Sequence, residues 1–302
     1  MPLTATPSLL TPLTRRSGEV PIITRLTNHA TARHDTATVI AVAVVVYALS
    51  SLLHEGVGHG GACLAVHGVA RELSSMHFEC TLPDDSVNGA RIVAAGGTIA
   101  TLIGGFLALG LYHLRPANNV LRYSLWLFAA VNLMQGTGYF LFSGIANVGD
   151  WAAVIESWEP AWLWRVMLAG AGFGSYLMLT QYLFRALQPF VGDARPRRYE
   201  HAVRLGALAY VAGGVFEVVT GLFNPGGLAL VLLSGAAASL GGTSGLAWGP
   251  HTLRGHRTPS DMLEIPVLLV KRSWIMIVVA LLVAVPFVAF FGPGIVLTGS
   301  GR

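Results

Sequence analysis

Charge is what this chain has least of. Of its 302 residues only 11% are Asp, Glu, Lys or Arg, against 53% hydrophobic. A soluble domain carries about 25% charged residues, so one large water-facing globule is excluded. Lysine is nearly missing too, and arginine supplies almost all of the positive charge. Cysteine occurs twice, as Cys63 and Cys80. Two thiols make no disulfide framework, and leave room for one bridge if both face an oxidising compartment. The net charge of +4 does not describe a nucleic-acid partner, because the arginines lie between apolar runs. Ten-residue alternating segments are also wanting, which excludes a membrane β-barrel.

What the chain has in abundance is long apolar runs. Seven recur, near 37–66, 92–114, 121–143, 161–183, 203–223, 228–248 and 274–296. Each has about the 20 residues needed to cross a bilayer core of roughly 30 Å. The expected fold class is an all-α polytopic membrane protein of about seven transmembrane helices, with the lipid bilayer as its surroundings. Residues 1–36, rich in Thr and Pro, read as a mobile cytoplasmic tail, not a signal peptide. Residues 37–155 read as a three-helix core, and 156–302 as four further helices. The polar connection at 69–82 could fold as a short hairpin, though its alternation is weak.

Basic residues set the expected orientation. Tail, second, fourth and sixth connections together hold 15 of the 19 Lys and Arg. Arg71, Arg91, Arg165 and Arg302 fall on the other side. The N-terminus is therefore expected in the cytoplasm. Arginine-rich, Ala- and Gly-rich composition points to a bacterial inner (cell) membrane.

Within the first run stands Leu53-His54-Glu55-Gly56-Val57-Gly58-His59-Gly60. Ionisable groups inside a membrane span are costly, and are read first as functional. His, Glu and His on a helix is how zinc is held with a base beside its water. The usual spacing between the two His is four; here it is five. In a regular α-helix five residues separate the rings by about 140°. One π-type turn would bring them together, and Gly56, Gly58, Gly60 and Gly61 make the helix easy to deform. A rival stripe, Glu55, His59, Cys63 and His67, recurs at four-residue steps. The third ligand is expected to be Asp150, with Glu217 as the alternative. Given the orientation, all four polar side chains reach similar depth on the outer side.

Three segments, in order, resemble the site-2 protease family of intramembrane zinc metalloproteases. His54-Glu55 through His59 is similar to its first ligand motif. Residues Ala94-Ala95-Gly96-Gly97-Thr98-Ile99-Ala100-Thr101 resemble its small-residue segment, with Gly97 where Pro is usual and Thr101 where Asn is usual. Asn147-x-x-Asp150 resembles the motif that supplies the third ligand. The five-residue His spacing also resembles the soluble dipeptidyl peptidase three family, whose glutamate ligand speaks for Glu217. The resemblance implies Zn2+ on His54, His59 and Asp150, and Glu55 as general base. It implies hydrolysis of a peptide bond in a membrane-protein or peptide substrate. Asn147 and Asn132 are candidate substrate-binding residues; Asn132 and Gln135 read equally as hydrogen-bonding glue between helices. Two other functions stay open: a transporter relaying protons or metal through His, Asp and Glu, and a protease-like protein without activity.

Overall fold

The computed structural model describes residues 33–83, 86–192, 197–227, 237–253 and 267–297. Most of them are helical, and five helices are long and apolar enough to cross a membrane: α1 (Thr36–Ala65), α2 (Val87–His113), α3 (Asn119–Ala146), α6 (Arg197–Gly221) and α7 (Trp274–Phe291). Between them lie the short α4 (Asp150–Val154) and the 26-residue α5 (Ala161–Ala186). Seven spans are thus not reached among the described residues. α5 has the length, about 39 Å, but Arg165, Ser175, Gln181 and Arg185 dilute its apolarity. The run expected at 228–248 begins outside the described residues, and its described end is a short helix, Gly245–Trp248, with a tight turn after it.

α1 starts where Asp35 caps it, accepting from the backbone N–H of Thr38 (2.9 Å) and from its hydroxyl (2.8 Å). Both Asp35 oxygens also accept from Arg272 Nε. Burial opposes ionisation of Asp35, but these bonds outweigh it and hold the carboxyl below its ordinary value. The segment carrying Arg272 runs extended beneath the bundle, with Asp35 N–H donating to Val270 O and Leu268 N–H to Pro189 O. His34 locks it there: Nε2 donates to Phe190 O and Nδ1 accepts from Val270 N–H. Burial, then the facing His201, pushes the His34 imidazole down to about 3, so the ring stays neutral.

α3 is the middle of the bundle. Of its most apolar stretch 67% is buried, against 11% for α7, which lies at the edge on α1. Burial of apolar groups does not drive helix association in lipid, so close approach and side-chain hydrogen bonds must do it. Both are found. Trp126 Nε1 donates to Leu183 O (2.8 Å) and Tyr123 Oη to Leu205 O (2.8 Å), joining α3 to α5 and to α6. At Gly144 a Cβ would stand 2.6 Å from the backbone N of Ala169, so α3 and α5 touch backbone to backbone. Outward, large apolar side chains are bare, among them Leu107, Met178, Ile275 and Leu282. Such a belt on a helical bundle is a lipid-facing surface, not a water-facing one.

The all-α expectation needs one amendment. The connection after α1 folds as a hairpin, β1 (Val69–Leu73) and β2 (Phe78–Thr81), with a bulge at Arg71. A third strand, β3 (Ile295–Val296), arrives from the end of α7 and pairs with β1, giving the order β2-β1-β3. Cys63 and Cys80 are joined in a disulfide, which ties β2 to the end of α1.

The Asp35 cap yields a stability prediction. Its folded carboxyl titrates below the unfolded value of about 3.9, so its contribution is complete above that pH and is lost as pH falls through the lower folded value. Asp35→Ala should cost about 1 kcal/mol at pH 7, read as a lower Tm in detergent, with the deficit shrinking below about pH 4.

Candidate metal centre

In the stretch that carries the two histidines α1 changes its winding. Residues Leu52–Gly60 form a π-helix, in which hydrogen bonds span five residues and side chains five apart share a face. His54 and His59 therefore stand together, Nε2 to Nε2 at 3.2 Å. The rival four-residue stripe is dispersed: Cys63 is in the disulfide, and His67 ends the helix at a φ of 59°.

The winding is held from outside by α2. At Gly58 a Cβ would lie 2.5 Å from Gly97 Cα, so the two backbones are in contact. His59 Nδ1 lies 2.7 Å from the carbonyl oxygen of Val93, on the same helix. A carbonyl only accepts, so Nδ1 carries the proton and Nε2 presents its lone pair. Gly97 faces the pair directly: a Cβ there would stand 2.6 Å from His54 Nε2 and 2.5 Å from His59 Nε2. Any residue but glycine at 97 fills the space in front of both donors.

Asp150 comes from the other side. α3 ends at Asn147, whose left-handed backbone (φ 56°) turns the chain, and Gly149 (φ 83°) turns it again. Asp150 then opens α4 with its Oδ2 3.2 Å from His54 Nε2 and 3.6 Å from His59 Nε2. That oxygen is buried and has no donor in hydrogen-bond geometry among the described residues. Three buried ligand atoms from one π-turn and one loop thus converge, and His54, His59 and Asp150 form a group that could hold a metal ion. No protein-family model, curated protein or solved structure matches the chain. The site must be read from its own chemistry.

The remaining candidates take different places. Glu55 lines a 1110 Å³ cavity together with His59 and Asp150. Glu217, the alternative ligand, does not join the histidines: it accepts from Ser51 Oγ at 2.9 Å, in the gap between α6 and α1. Asn132 donates to Ser50 Oγ and to Phe128 O, so it is an interhelical tie, fully buried away from the cavity wall. Asn147 is exposed, and contributes the turn that delivers Asp150, not a contact in the cavity. The Asn132 side chain is thus engaged between helices, and Asn147 acts through its backbone turn.

Two arginines missed as site residues hold the Asp150 loop. Arg165 on α5 donates through Nε and Nη2 to Gly144 O (3.2 Å) and Ile145 O (2.7 Å), the uncapped carbonyls at the end of α3. Arg91 on α2 donates to Glu156 O just beyond α4 and stacks over Trp158 at 5.7 Å. They are two of the four basic residues on the sparsely charged side, which in sequence alone looked unassigned.

The cavity has the hairpin as one wall, through Phe78 and Cys80, with Val93, Ala94 and Tyr139 opposite. Since β2 is the outer strand of the sheet, one edge of it is unpaired by the sheet.

Gly97→Ala tests the close approach. It should lower metal affinity by about 10–100-fold, the effect typical of disturbing a ligand's surroundings, measured by chelator competition. Gly110→Ala on the same helix, where a Cβ meets nothing within 4 Å, should leave affinity unchanged.

Proposed function

We propose that this chain is an intramembrane zinc metalloprotease of the site-2 protease type. The observation that carries the reading is the donor triangle of His54, His59 and Asp150 with Glu55 beside it on the cavity wall. Zinc ligands at about 2.0–2.2 Å in a tetrahedron stand about 3.3–3.5 Å from one another. The triangle's sides of 3.2, 3.2 and 3.6 Å have that size. Two imidazoles and one carboxylate leave a fourth position, the pattern of a catalytic site and not of a closed structural one.

When bound, zinc would supply a water of lowered pKa and a Lewis acid for the scissile carbonyl. The protein's own groups do the rest. Val93 O fixes the His59 tautomer, and the burial of Glu55 shields its carboxylate from bulk water. Glu55 takes a proton from the attacking water and returns it to the leaving nitrogen. The unpaired edge of β2 suits an extended peptide, which would pair with it as an added strand. The substrate is then a membrane-protein segment unwound near the outer surface. The Cys63–Cys80 bridge supports an outer, oxidising position for the hairpin, in agreement with the distribution of arginines and an inner-membrane protein with a cytoplasmic N-terminus. α5 is a sixth span in this reading.

Metal content separates the ligand assignments. Purified protein should carry one zinc per chain; Asp150→Ala should lose it, and Glu217→Ala should retain it. Zinc kept by the first variant and lost by the second would move the third ligand to α6. A proton-relay transporter would show no stoichiometric zinc dependent on both histidines.

Glu55→Gln tests the chemistry. It should keep zinc and lose at least about 10²-fold in peptide cleavage, followed by mass spectrometry of membrane-peptide fragments. Cleavage at the wild-type rate would remove Glu55 from the mechanism.

A further inference from the structure

We propose that Tyr139 is a catalytic residue of this site, its phenol O–H donating to the oxyanion that develops on the scissile carbonyl. The inference rests on the zinc hydrolase reading and adds to it a group that the sequence motifs do not contain. Acyl transfer at a metal leaves charge on the former carbonyl oxygen, and a neutral donor preplaced beside it lowers the barrier. Zinc meets part of that need; a second donor has to come from the cavity wall.

The segment where the resembling family has an asparagine does not offer one here. Thr101 is wholly buried, and its hydroxyl donates to Thr98 O (2.9 Å) inside its own helix. Tyr139 stands beside the ligands. It lies on α3 and lines the cavity with Glu55, His59 and Asp150. Its ring is stacked on His54, with centroids 4.9 Å apart and planes within 13°. On the Asp150 side, a Cβ at Gly149 would sit 3.8 Å from Tyr139 Cε1, in ordinary contact. The ring is thereby wedged between one ligand and the loop that brings another. Its hydroxyl takes part in no hydrogen bond among the described residues, which leaves its proton for a substrate oxygen. Gln135, one turn earlier on α3, is another neutral donor on the wall.

The test uses acetohydroxamate, whose two oxygens bind a catalytic zinc where the attacking and carbonyl oxygens would lie. Its affinity for the full-length, zinc-loaded protein in detergent is measured by calorimetry for wild type, Tyr139→Phe and Gln135→Leu. Tyr139→Phe keeps the stacked ring and should retain one zinc per chain with wild-type affinity. It should bind acetohydroxamate at least tenfold more weakly, whereas Gln135→Leu should stay within threefold of wild type. Equal acetohydroxamate affinity in Tyr139→Phe overturns the proposal, as does a loss confined to Gln135→Leu. Loss of zinc from Tyr139→Phe also overturns it, since the hydroxyl would then serve the metal and not the oxyanion. Wild type that holds zinc but not acetohydroxamate has no accessible oxyanion position, and the proposal falls. Wild type without zinc is the separate outcome in which the hydrolase reading itself fails.

Discussion

The change of winding at Leu52–Gly60 is the constraint on which the rest of the site depends. With α-helical winding throughout, His54 and His59 would point about 140° apart, and one would face away from α3 and α4. A π-turn costs hydrogen-bond quality and packing, so it persists only where neighbours over-determine it. Here the neighbour is α2, pressed so close that Gly58 and Gly97 touch through their backbones. The contact supports the turn sterically, and Val93 O orients His59 by a hydrogen bond. The glycines of the two helices are thus one device: those of α1 permit the turn, and those of α2 let it be approached.

A second constraint sits at the far side of the cavity. Asp150 lies on a loop, and loops are poor places for a ligand unless they are held. Two left-handed residues turn the chain, and Arg165 and Arg91 bind carbonyls before and after α4. Charged donors on uncapped helix carbonyls are favourable both as hydrogen bonds and against the helix dipole. The arginines also explain an anomaly of the topology. Positive residues are sparse in the connections on this side of the spans, and these two are engaged with the loop beside the site.

How much of this could be read from residues alone differs from piece to piece. The apolar runs located α1, α2, α3, α6 and α7, with ends up to about six residues off, because hydropathy is a local property. It does not decide α5, which has the length of a span without the apolarity. The His54–His59 spacing was enough to require a π-turn, since helical geometry admits few ways to join residues five apart. Asp150 was legible through its neighbour Asn147, whose left-handed backbone makes the turn before it. Gly97, Tyr139, Arg91 and Arg165 were not legible as site residues. Each acts on a group 38 or more positions away or on a loop carbonyl, and no periodicity encodes such pairs. β3 escaped for the same reason: two residues carry no pattern until a partner strand is known.

The charges in the site also bear on why it tolerates its surroundings. An isolated carboxylate deep in an apolar bundle is costly, and there are three of them near one another: Glu55, Asp150 and Glu217. Two neutral imidazoles do not offset them. A divalent ion on His54, His59 and Asp150 would, because one carboxylate ligand and one carboxylate base together balance two positive charges. Glu217 stands outside that balance, with Ser51 as its hydrogen-bond donor. A cation held by those donors would thus relieve the cost of burying two of the three carboxylates, a point independent of any resemblance between motifs.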